Sequence, residues 1–123
     1  MAKKNSEGFP QKFRVVKTAE YQMLYREGRK TYSERFVLFS RYNGLGYNRI
    51  GITVSRKVGG AVVRNRIKRL FREIFRRSRG QIPNQLDIVV NAKAGCVGVG
   101  YVELRTEFLA AAQKICRWSS GGR

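Results

Sequence analysis

Residues 61–77, AVVRNRIKRLFREIFRR, constrain this chain more than any other segment. Placed on a helical wheel at about 100° per residue from Val63, the side chains of Ile67, Leu70, Phe71, Ile74 and Phe75 share an arc of roughly 140°. Asn65, Lys68, Arg69, Arg72 and Arg76 fall on the opposite side, between about 140° and 240°. The spacing predicts a helix with one apolar and one cationic face, ended by Gly80 and Pro83. Such a helix draws its stability from an apolar surface to lie on, so the fold must supply a sheet.

The sheet is legible on both sides of that helix. Arg35–Tyr42 (RFVLFSRY) is rich in β-formers, and Asn43-Gly44-Leu45-Gly46 reads as a turn. Arg49–Ser55 alternates, with Ile50, Ile52 and Val54 on one face. These two runs predict an antiparallel hairpin with a loop longer than two residues. Leu86–Ala92 (LDIVVNA) is mostly apolar, as in a strand buried on both faces. Thr18 is read as the N-cap of a helix to about Glu27, stopped by Gly28, with Tyr21, Leu24 and Tyr25 on one face. A glycine-rich loop at 95–100 leads to a last amphipathic helix, Val102–Ile115. Residues 1–12 are expected to be a mobile basic arm and 118–123 a disordered tail, leaving one domain over 13–117. The order α-β-β-α-β-α predicts an α/β sandwich with a small sheet.

Charge narrows the chemistry. The 123 residues carry 26 Lys+Arg against 8 Asp+Glu, a formal net charge of +18. Ten of the basic residues lie between Arg56 and Arg79, with Glu73 the one acid among them. A solvated helix face normally mixes signs, and the macrodipole disfavours Arg64 and Arg66 near a helix start. Gly59-Gly60 before them leaves first-turn amides open to a phosphate. This points to nucleic acid, with RNA and DNA equally open. Membrane binding would require the apolar face that the sheet occupies. With no histidine, a single aspartate and seven scattered glutamates, no His-based catalysis and no carboxylate cluster for a two-metal nuclease can be assembled. Cys96 and Cys116 have no metal-ligand spacing and are expected to be free thiols. The N-terminus lacks an apolar signal region and no run is long enough to span a membrane, so a cytoplasmic location is expected. The rings of Tyr21 and Tyr25, with Val37 and Phe39, are either core or a stacking surface for single-stranded RNA.

The segment GITVSRKVGGAVVRNRIKRLFREIF resembles the protein subunit of bacterial ribonuclease P. The family's Ser-Lys-Lys-like stretch, Gly, Ala-Val and Arg-Asn-Arg-x-Lys-Arg-x-x-Arg correspond to Ser55, Arg56, Lys57, Gly59, Ala61-Val62, Arg64-Asn65-Arg66, Lys68-Arg69 and Arg72. The likeness extends over about 13–116, departing at Arg56, where Lys is common, and at Tyr21 and Tyr25, where Phe is common.

The resemblance implies a two-layer α+β sandwich with a small mixed sheet and a left-handed βαβ crossover, similar to a ribosomal-protein and an elongation-factor domain. It implies an accessory subunit to a catalytic RNA that removes the 5′ leader of precursor tRNA, with no catalytic residue in the protein. Mg²⁺ would be held mainly by the RNA and none by the protein alone. Arg56, Lys57, Arg64, Asn65, Arg66, Lys68, Arg69 and Arg72 would contact the catalytic RNA. Tyr21, Tyr25, Val37 and Phe39 would line the leader cleft. The expected partners are the catalytic RNA and precursor tRNA, without a membrane or an obligate protein partner. The competing readings are a structural RNA-binding protein of ribosomal type and, against the composition, a self-sufficient nuclease.

Overall fold

Alternation along the strands sorts the side chains of this chain onto two sheet faces with different fates. The structure, a computed structural model, describes residues 13–15, 17–82 and 85–121, with side chains as far as Ile115. Its elements are α1 (Thr18–Glu27), β1 (Arg29–Tyr32), β2 (Phe36–Tyr42), β3 (Arg49–Val54), α2 (Ala61–Arg77), β4 (Leu86–Ala92) and α3 (Tyr101–Gly121). The sheet order is β1-β2-β4-β3. β2 pairs antiparallel with both β1 and β4, and β3 pairs parallel with β4. The mixed sheet and the β3–α2–β4 crossover unit are therefore present.

Two expectations are corrected. β2 and β3 do not form a hairpin, because β4 lies between them. All of β4 but Asn91 is buried, and a strand apolar on both faces is stabilised most at the centre of a sheet. The hairpin partner of β2 is instead β1, an element missing from the expected order. Ser33 N–H closes the β1–β2 turn on Phe36 O at 2.9 Å. In β1 only Thr31 is buried, so the strand carries no apolar alternation to announce it.

One face carries Ile50, Ile52 and Val54 of β3, Ile88, Val90 and Ala92 of β4, and Phe36 and Leu38 of β2, and it packs on α2 and α3. The wheel reading of α2 holds: Ile67, Phe71, Ile74 and Phe75 are buried. Phe71 meets Phe36 edge-on at 5.4 Å between ring centroids and Phe108 of α3 at 6.1 Å. Such pairs add about 0.5–1.5 kcal/mol each beyond area burial. The helical layer of the sandwich is thus α2 with α3. The backbone of α3 continues to Gly121, through most of the segment expected to be a tail. The expected arm, 1–12, and residues 122–123 lie outside the described residues.

α1 lies across the opposite face, where Leu24 packs with Val15, Phe39 and Val89. The helix starts one residue earlier than predicted. Lys17 is the N-cap without a side-chain bond, its carbonyl accepting from Glu20 and Tyr21, so Thr18 is the first helical residue and not the cap. Gly28 does stop it, and for a steric reason. Its N–H bonds Leu24 O, and a Cβ there would lie 2.5 Å from that oxygen and 3.1 Å from Ser40 O. An ion-pair group fixes the helix to the sheet: Arg49 chelates Asp87 through Nε (2.8 Å) and Nη2 (2.6 Å), and Nη2 also reaches Glu20 at 3.2 Å.

Candidate nucleic-acid interface

The face beneath α1 is built in rows that cross the sheet. Thr53, Asn91, Val37 and Tyr32 stand side by side on β3, β4, β2 and β1, and Gly51, Val89, Phe39 and Lys30 form the next row. α1 lowers Tyr21 and Tyr25 onto these rows from above. Gly51 makes room for Tyr21, since a Cβ there would collide with the phenol. Tyr25 stands edge-on to Phe39 at 4.9 Å and donates its hydroxyl to Asn91 Oδ1 at 3.0 Å. Asn91 Oδ1 also accepts from the Thr53 hydroxyl, which turns the amide nitrogen away from both. Burial pushes the Tyr21 phenol up from its ordinary pKa, with Tyr25 adding to the shift against the opposing pull of Arg72. It is therefore a hydroxyl donor throughout the physiological range.

Tyr21, Tyr25, Val37 and Phe39, grouped by sequence, thus come together in space. They divide the work unevenly. Phe39 is only 8% exposed and forms the floor, whereas Tyr25 is 37% exposed. Sequence reasoning missed Thr53, Asn91, Lys30 and Tyr32. The polar Asn91 at an alternate position of a buried strand was the signal for the first pair. For the second pair there was none without β1.

The cationic side of α2 meets this face at its β3 edge. Lys68 and Arg72 join Arg14, Tyr21 and Gly51 around a recess of about 250 Å³. Desolvation, then the neighbouring charge of Arg14, lower the pKa of Arg72, partly offset by Tyr21. A guanidinium crowded by cations and stripped of water favours an anion beside it. Arg69 and Asn65 are exposed on the same helix. Arg64 Nε returns to Gly59 O at 3.1 Å, and Arg66 Nη2 reaches Val99 O at 3.4 Å. Arg56 and Lys57 occupy the exposed turn before the helix, where Lys57 N–H bonds Ser55 Oγ. Gly60 caps α2 without a side-chain bond to the first-turn amides.

The placement of the carboxylates defines the surface as much as the cations do. Glu20 and Asp87 go to Arg49, Glu27 to Arg26 and Arg41, Glu107 to Arg35, and Glu73 to Arg76 and Arg77. Hydrogen bonds from Arg76 and Arg77 hold Glu73 below the usual carboxylate range despite its opposing desolvation. Among the described residues no ion pair engages Arg56, Lys57, Arg64, Arg66, Lys68, Arg69 or Arg72. At the C-terminal turn of α2 one carboxylate offsets part of the charge of two arginines, and the rest of the helix's polar face carries cations without an ion-pair partner among the described residues.

Among the described residues no three His, Cys, Asp or Glu side chains come together to hold a metal ion. Cys96 is a buried free thiol, pushed up to about 11 by burial; Cys116 has no described side chain. No helix among the described residues is long and apolar enough to cross a membrane.

A helix whose many cations face a single acid, Glu73, beside a sheet face lined with rings is the arrangement of a nucleic-acid-binding protein. Comparison with known proteins specifies which one. The family profile described as Ribonuclease P matches residues 9–116, and the chain belongs to that family. The ribonuclease P protein component of Alkaliphilus metalliredigens is 37% identical over 102 residues, covering 83% of this chain and 92% of that protein. Its counterpart from Thermotoga maritima is 45% identical over 85 residues, covering 69% and 73%. The solved Thermotoga maritima RNase P protein superposes with a TM-score of 0.77 at 36% identity, over 82% of this chain and 96% of that one. The Staphylococcus aureus RNase P protein gives 0.74 at 32% identity, over 85% and 94%. The protein therefore acts in tRNA 5′ processing as a component of the ribonuclease P complex, together with its RNA.

Proposed function

We propose that this protein holds the catalytic RNA with the basic side of α2 and its preceding turn, and the 5′ leader of precursor tRNA with the aromatic sheet face, while the RNA performs the hydrolysis. The observation that carries this reading is the junction of the two surfaces at Lys68, Arg72, Tyr21 and Gly51. Phosphate contacts by the helix set position without reading sequence. Rings accept any base, because every base has a π-face, so a leader of arbitrary sequence suits this cleft. Mature tRNA has no leader, and the complex binds precursor more tightly by the energy of the cleft contacts. The cations also screen the repulsion between two RNAs, which lowers the Mg²⁺ needed. Mg²⁺ belongs to the RNA in this reading. The setting is the cytoplasm.

The test is precursor-tRNA cleavage at low Mg²⁺ by a bacterial ribonuclease P RNA, with and without this protein, and with the protein alone. Cleavage only when both are present is expected. Absence of stimulation with several such RNAs would favour a structural RNA-binding role. Cleavage by the protein alone would overturn the assignment of chemistry to the RNA.

A further inference from the structure

The aromatic face does not end at the residues grouped by sequence. β1 extends both rows by one strand, placing Tyr32 beside Val37 and Lys30 beside Phe39. Paired residues of neighbouring strands point to the same face, so Tyr32 and Lys30 share the surface on which Tyr25 sits. Tyr32 is 62% exposed, more than any of the four cleft residues, and among the described residues no hydrogen bond or ring contact engages it. A large ring held open to water at the edge of an RNA-binding face offers a stacking platform. Lys30 Nζ lies 5.6 Å from the Phe39 centroid, within cation–π range, which holds a positive charge along the same path.

The rows also have a direction. The cationic helix meets them at β3, through Lys68 and Arg72 beside Gly51, and β1 is the opposite margin of the sheet. Three strand spacings separate the two margins, about 14 Å. We infer that the leader crosses the sheet from β3 to β1, its cleavage-proximal nucleotides at Tyr21 and Tyr25 and its distal ones at an outer stacking site formed by Tyr32, with Lys30 meeting the backbone. This rests on the leader-cleft reading above and adds to it an order along the strand and a second subsite.

The experiment uses the holoenzyme and precursor tRNAs whose leaders are shortened one nucleotide at a time, with mature tRNA alongside. Tyr32→Ala weakens binding of long-leader precursors by about 5- to 150-fold, the range expected for loss of one stacking ring. The loss disappears once the leader is too short to reach β1, and Tyr32→Phe, which keeps the ring, restores affinity. Tyr25→Ala weakens both short- and long-leader precursors. If Tyr25→Ala loses affinity while Tyr32→Ala matches the parent at every length, the outer site is wrong and the cleft stands. If neither variant loses affinity, the cleft reading itself fails. Equal losses for Tyr32→Ala with long leader, short leader and mature tRNA also overturn the inference, and a thermal melt of the variant identifies misfolding as their source.

Discussion

At the scale of single residues, Glu107 fixes the margin of the sheet at β1. Its carboxylate accepts from the Ser33 hydroxyl, from Arg35 N–H at 2.9 Å and from Arg35 Nη1 at 2.8 Å, which pins the β1–β2 turn to α3. From the other side, Lys93 N–H and the Cys96 thiol both donate to Arg35 O. Burial pushes the Glu107 carboxyl up, but the hydrogen bonds from Ser33 and Arg35 outweigh it and hold the group below the ordinary carboxylate range. A carboxyl lowered in this way stabilises the fold above its ordinary pKa of about 4.3, and the contribution is lost as pH falls through the folded value. Glu107→Gln is accordingly expected to lower the melting temperature by about 4 °C near neutrality, the shift that accompanies about 1 kcal/mol in a chain of this size. The gap from the parent should close in acid, and thermal melts across pH would show it; a gap unchanged at low pH would remove the charge from the explanation. Little of this was legible in the sequence, because Ser33, Arg35 and Glu107 are brought together only by the β1–β2 turn and α3. Tyr21 and Tyr25 were legible as neighbours on one helix face. That Phe39 is floor and Tyr32 is surface depends on the strand register, which no local pattern records.

At the scale of elements, α2 was the most legible, since its period separates core from cations within a single segment. The other side of that separation can be measured. Arg69→Ala, and Arg66→Ala beside it, are expected to weaken binding to the ribonuclease P RNA and to flatten the log–log salt dependence by about one unit for each phosphate no longer neutralised. Slopes identical to the parent would show that these side chains do not meet phosphates. Arg76 and Arg77 share Glu73 at 2.5 and 2.6 Å, and a smaller flattening is expected of either. Strand pairing was the least legible level. Alternation locates β2 and β3 correctly but says nothing of what lies between them, and adjacency in sequence suggests a hairpin. The apolar character of β4 carried the hint, because a strand covered on both faces is most at home inside a sheet rather than at its edge. β1, with Arg29, Lys30 and Tyr32 exposed, has the composition of a protected sheet edge and so reads as a loop. The crossover entered only through the family resemblance.

At the scale of the whole molecule, the described acids other than Glu73 lie outside α2. Glu34, Glu103 and Glu107 all act on Arg35, and Glu20 and Asp87 surround Arg49. A net charge of +18 opposes compaction through self-repulsion, and its relief comes from the RNA. Any multivalent anion that binds the folded form should substitute in part. Sulfate or phosphate is expected to raise the melting temperature of the isolated protein progressively with concentration, well beyond an equal ionic strength of chloride; melting curves indifferent to the anion would refute the idea. The position of β4 carries this further, into the order in which the chain can take shape during synthesis. The strand that joins β2 to β3 is the last of the four to leave the ribosome, so the sheet cannot close until residue 92 has emerged. Until then β3 has no strand partner among the four and α2 has no finished surface for its apolar face, although most of the basic cluster has already been made. The emerging chain therefore exposes its affinity for polyanions before it has the fold that directs that affinity, amid the densest RNA in the cell.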